Sequence, residues 1–117
     1  MFRKLVLSFA VAAAYAFPAF ADDDVMAGFY GNTSIATGGM ADTHTSYSPD
    51  HSFVMKVPSF GVSFKGTWVV NAGTLCRTFD SPPPGVTNPL CSPIEAHKVG
   101  DTWSVDGRTI TLVKGIQ

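Results

Sequence analysis

The chain has 117 residues, 45% of them hydrophobic and 15% charged, a balance that suits a packed globular domain and not a disordered one. Eight basic residues stand against nine acidic ones, so there is no basic face with which to displace counterions, and no nucleic-acid partner is expected. The length fits a single core, and a core of that size holds little stability in reserve.

The first residues set the compartment. Met1-Phe2-Arg3-Lys4 is a short basic segment, Leu5 to Phe17 is almost wholly apolar, and Pro18 precedes the small-x-small triplet Ala19-Phe20-Ala21. This is the plan of a secretory signal peptide over 1–21, leaving 22–117 as a single β domain. The apolar run is shorter than the ~20 residues that cross a bilayer, and no cysteine follows it for lipid attachment, so no stable membrane insertion is expected. Loss of Arg3 and Lys4 leaves six basic against nine acidic residues, a net charge of −3. The expected location is periplasmic or secreted.

Asp22-Asp23-Asp24 opens the remainder as a solvated leader, with Asp24 also placed to cap a short helical turn through Phe29. Asn32–Thr37 reads as a first strand, ended by Gly38-Gly39. From Asp42 to Ser48 the chain alternates, Thr43, Thr45 and Tyr47 on one side and Asp42, His44 and Ser46 on the other, which predicts a second strand. Ser48-Pro49-Asp50-His51 is a turn, and Ser52–Val57 returns as a third strand with Phe53, Met55 and Val57 on one face. Pro58 has no N–H to donate and interrupts the ladder. Ser59–Lys65 then predicts a fourth strand that buries Phe60, Val62 and Phe64, followed by a corner or bulge at Gly66.

Gly66 to Cys76 has two alternating runs around Asn71-Ala72-Gly73, the pattern of a hairpin whose first strand carries Trp68. Leu75, Arg77 and Phe79 continue its second strand. The proline-dense stretch Asp80–Pro89 forbids helix and inner strand and predicts a surface loop. Ile94–Val99 predicts a further strand, Gly100-Asp101 a turn, and Trp103 and Val105 the outgoing strand. Asp106-Gly107 is a strong two-residue hairpin turn, and Arg108–Lys114 completes the pair. The sum is an all-β domain of about seven to eight short antiparallel strands, a small barrel or rolled sheet. Two similar hairpins, Thr67–Val70 and Thr102–Val105, suggest symmetric packing of Trp68 and Trp103. Cys76 and Cys91 are the two cysteines of the chain, and outside the cytoplasm their pairing is the default expectation, closing the proline-rich loop.

Gly31-Asn32-Thr33, Tyr47-x-Pro-Asp-His51, Gly66-Thr67-Trp68, Leu75-Cys76, Cys91 and His97-Lys98-Val99-Gly100-Asp101-Thr102-Trp103 together resemble a set of small exported proteins of Gram-negative bacteria. The plan of strands, Gly-x-Trp, disulfide and second Trp is also similar to small calycin-type barrels, among them periplasmic protease and lysozyme inhibitors. The resemblance implies a calycin-like barrel and carries over no catalytic or inhibitory residue, because the Gly-x-Trp element of the protease inhibitors is N-terminal and here it is central.

Enzyme chemistry finds no support. There is no Gly-x-Ser-x-Gly elbow, and Glu95 is the sole glutamate, so neither an activated serine nor a carboxylate pair is legible. No cofactor is expected. His44, His51 and His97 are candidate copper or zinc ligands, though none of their spacings is a ligand motif. The aromatic content points elsewhere: Tyr47, Phe64, Trp68 and Trp103 are the candidate lining of an apolar pocket. The leading expectation is therefore a binding protein for a small apolar ligand or an envelope protein, with a protein-interaction or inhibitor role for a protruding 80–93 loop as a second reading and metal binding as a third.

Overall fold

A computed structural model describes residues 22–117. The signal peptide expected over 1–21 lies outside the described residues. Eight strands form one antiparallel sheet: β1 (Thr33–Thr37), β2 (Thr43–Tyr47), β3 (Ser52–Val57), β4 (Val62–Asn71), β5 (Thr74–Phe79), β6 (Leu90–Pro93), β7 (Thr102–Val105) and β8 (Arg108–Val113). Their order, β6-β5-β4-β3-β2-β1-β8-β7, is a six-strand meander with the last hairpin laid against β1. Residues from all eight strands line one interior cavity, which requires the sheet to curl into a nearly closed barrel. A seam remains between β6 and β7, the two borders of the sheet.

The register explains which side chains point inward. Row by row, Leu112, Ser34, Thr45, Met55 and Phe64 lie opposite one another across β8, β1, β2, β3 and β4. The next row joins Tyr47, Phe53, Gly66 and Phe79. Gly66 is the gap in that row. Without a side chain there, the rings of Phe53 and Phe79 meet edge to face with centroids 5.0 Å apart. A Cβ at Gly66 would also collide with the carbonyl oxygen of Thr78 in the neighbouring strand, so the backbones pack too closely for any other residue.

The strand predicted over Ser59–Lys65 is corrected by the structure. Pro58–Phe60 forms a single 3-10 turn closed by Gly61 in a left-handed conformation (φ 65°), and β4 then runs unbroken for ten residues through Gly66. Phe60 and Val62 remain 65% and 43% exposed, because the barrel is open where they stand. The strand predicted over Ile94–Val99 is also absent. The chain pairs earlier, at Leu90–Pro93, and crosses irregularly from there to Thr102.

The opposite end of the barrel is closed by a 3-10 helix, Asp22–Phe29. The three aspartates are exposed, as a solvated leader would be, while Met26 and Phe29 drive into the barrel against Tyr47, Trp68 and Leu112. Phe29 makes edge contacts with Tyr47 and Trp103 at 5.8 and 6.1 Å. Gly28 passes so near the carbonyl of His97 that a Cβ would strike it. Asn32 fastens this plug by donating from Nδ2 to Gly28 O (2.9 Å) and accepting from Gly115 N (3.1 Å). Buried Thr33 donates its hydroxyl to Gly115 O (2.8 Å) and accepts from Gln117 N (3.0 Å), tying down the C-terminus. Cys76 and Cys91 face each other in register across β5 and β6 with Cα atoms 4.0 Å apart and form the disulfide.

A candidate ligand cavity in the barrel

Alternation places one row of side chains after another on the inner wall, and the filling is uneven. Near the N-terminal plug Trp68, Phe29, Phe53 and Leu112 are essentially fully buried. Toward the other end, where the 38–42 and 80–89 loops and the turns at Pro58–Gly61 and Asp106–Gly107 gather, the interior is a cavity of about 810 Å³. Met55, Val57, Phe64, Val105 and Ile110 form its apolar wall, and Phe60, Val62 and the fully exposed Met40 form its rim. A volume of this order is that of small-molecule sites, which run about 300–1,000 Å³.

The proline-rich segment is part of this wall. Pro83 and Val86 are half-buried and line the cavity, with Val86 N donating to Pro83 O at 3.0 Å, so this part of the loop faces the mouth while Pro82, Pro84 and Gly85 are exposed. Asn88 anchors its far side by standing in for a strand neighbour: Oδ1 accepts from Phe79 N (2.9 Å) and Nδ2 donates to Phe79 O (2.7 Å).

Of the aromatics singled out in the sequence, Tyr47, Phe64 and Trp103 line the cavity and Trp68 does not. Trp68 is 1% exposed, one layer below the floor, with its Nε1–H shared between Ser48 O (3.2 Å) and Ser52 O (3.1 Å). The expected symmetry of the two tryptophans takes a different form. Each carries a histidine ring stacked on it, His51 on Trp68 at 4.1 Å and His97 on Trp103 at 3.4 Å.

The residues that the sequence reading passed over are two arginines. Arg77 and Arg108 both line the cavity, and the Nε of each is buried with no hydrogen-bond partner. Arg77 rests its guanidinium carbon 5.9 Å from the ring centroids of both Phe53 and Phe79. Arg108 donates from Nη2 to Ala36 O (3.1 Å) and Ala41 O (2.8 Å) at the mouth. A signal for Arg77 did exist: it alternates with Leu75 and Phe79 and so shares their inward face.

The three histidines lie apart in the structure. His44 pairs with Ile35 and Lys56 on the outer face of the sheet, His51 occupies the β2–β3 turn, and His97 accompanies Asp101 (3.3 Å) in the β6–β7 crossing. Among the described residues no three metal-ligating side chains come together. Asp101 is held below the usual carboxylate range, first by the backbone N–H of Lys98 (3.1 Å), with His97 assisting.

His51 links the plug to the barrel. Its Nδ1–H donates to Trp68 O (2.9 Å) and its Nε2–H to Asp23 Oδ2 (2.7 Å). Both partners only accept, so the pair of bonds is complete only in the imidazolium. The hydrogen bond to Asp23 raises the His51 pKa above its ordinary value, aided by the charge of Asp23, the Trp68 carbonyl and Asp50 and opposed by partial desolvation. A raised folded-state pKa contributes stability that is full below the unfolded value and is lost as pH rises through the folded one. After correction for intrinsic rates, amide exchange over 22–29 is therefore expected to be faster at about pH 8.5 than at about pH 6, with Asp23→Asn flattening the difference. Equal protection at both pH values in the unmodified protein would contradict the link.

No protein-family model matches the chain, and no curated protein or solved structure matches it. Among the described residues no helix is long and apolar enough to cross a membrane. The disulfide is compatible with an oxidising, extracytoplasmic compartment.

Proposed function

We propose that this is an exported binding protein that takes an apolar ligand into the open half of its barrel. The observation that carries the reading is the cavity itself, about 810 Å³, walled by aliphatic and aromatic side chains and rimmed by exposed ones. Apolar residues gathered at one mouth are costly to leave in water, and such gatherings mark ligand or partner sites. The disulfide and the signal-like leader support action in the periplasm or medium.

Nile red, an uncharged apolar dye, is the suitable first probe. Saturable binding with increased emission is expected, together with a change in Trp103 fluorescence, because Trp103 lines the cavity. Met55 stands on the inner wall between Thr45 and Phe64, so Met55→Trp is expected to fill the space and abolish the dye signal. Failure of the unmodified protein to bind the dye saturably, or undiminished binding by a folded Met55→Trp variant, would overturn the reading.

A further inference from the structure

We infer that the ligand is an amphiphile with one apolar chain and an anionic head, a carboxylate or a phosphate, and that Arg77 binds the head. This rests on the cavity reading and narrows it. Arg77 comes from the middle of β5, between Leu75 and Phe79, and enters an interior that is mainly apolar, with Ser34, Thr43, Thr45 and Ser92 as its small polar groups. Among the described residues the ion pairs are His51–Asp23 and His97–Asp101, and neither arginine has a carboxylate partner. The rings of Phe53 and Phe79 stabilise the guanidinium through their faces, but a ring face does not replace a hydrogen-bond acceptor. Arg77 is half-buried, and its Nε–H, buried with no protein acceptor, carries an uncompensated desolvation cost. An anion entering the cavity would remove that cost.

The guanidinium has the shape for the task, since its planar fork matches the two oxygens of a carboxylate or phosphate. Arg108 supplies a second positive charge at the mouth, its orientation fixed by the carbonyls of Ala36 and Ala41. Asp106 is the one carboxylate of the lining, and it is exposed and in no ion pair with either arginine, so the positive charges outnumber it. The chain of the amphiphile would lie along Met55, Val57, Phe60 and Phe64, whose side chains share the wall and rim.

The test compares ligands with the same chain and different heads, by displacement of Nile red below the concentration at which they form micelles. Dodecanoate and dodecyl phosphate are expected to bind at least about ten-fold more tightly than dodecanol, the gain typical of charge-assisted hydrogen bonds. In Arg77→Gln the preference for the anions over dodecanol should fall toward one, and in Arg77→Lys it should be intermediate, because the charge stays and the fork is lost. The ratio of dodecanoate to dodecyl phosphate in the unmodified protein tells a fatty-acid-like ligand from a phosphorylated one, and an excess of either supports the inference. If dodecanol binds as tightly as both anions, or if Arg77→Gln keeps the full preference, the inference is overturned while the cavity reading stands. If Nile red itself does not bind, both fall.

Discussion

Replacing Trp68 with alanine is expected to destabilise the domain by about 3–5 kcal/mol, the usual cost of deleting a large aromatic from a core. Trp68 is 1% exposed and supports the cavity floor from below. Its ring is covered by His51 on one face and touched edge-on by Tyr47 at 6.4 Å, and its indole N–H bridges Ser48 O and Ser52 O at the two ends of the β2–β3 turn. The substitution removes the transfer energy of the ring, leaves a void in the packed layer, and takes the indole donor from two carbonyls that keep only their backbone partners, His51 N on Ser48 O and Ser48 N on Ser52 O. Because domains of this kind are stable by about 5–15 kcal/mol, the variant should show a greatly lowered urea midpoint. Trp68→Phe should recover part of the loss, since it restores bulk but not the N–H. A loss below about 1 kcal/mol for Trp68→Ala would be incompatible with the packing described, given what core truncations cost.

Removing the disulfide by replacing Cys76 and Cys91 with serine is expected to cost about 3 kcal/mol, the chain-entropy value for a closed loop of about fifteen residues. The sequence separation of the two cysteines is 15. The effect should be local before it is global. β6 has four residues and one strand partner, β5, so without the sulfur link it is held by its ladder, by Leu90 against the core and by the Asn88 side chain on Phe79. Amide protection over 90–93 should fall well before that of β3 and β4, and the unfolding midpoint should drop in both the variant and the reduced protein. An unchanged midpoint on complete reduction would show that the covalent link contributes nothing to stability.

How much of this was legible in the sequence varies by element. Strands with a wet face and a dry face, such as β2 and β3, are written as alternation, and Asp106-Gly107 marks its turn by the backbone it demands. The disulfide follows from there being two cysteines in a chain whose first residues read as an export signal. The errors share a cause. Phe60, Val62 and Phe64 read as a buried row because alternation reports which face a side chain takes and is silent on whether that face is filled. Trp68 and Trp103 have nearly the same local sequence, yet one lies in the packed layer and the other lines the cavity, because Trp68 stands within the long inner strand β4 between Tyr47 and His51 while Trp103 stands on the border strand β7. Arg77 was written on the inward face beside Leu75 and Phe79, where size and charge predict exclusion. It is accommodated because it opens on the cavity and rests its guanidinium against the rings of Phe53 and Phe79.

The unjoined borders of the sheet have a bearing on how the molecule fares among other proteins at high concentration. A free strand is a template on which a passing chain can extend the ladder and begin a fibre. Here the borders are four-residue strands, and Pro89 and Pro93 bracket and end β6, so that one side has few amide hydrogens to offer. The barrel can leave β6 and β7 unjoined without offering a long ladder for self-assembly.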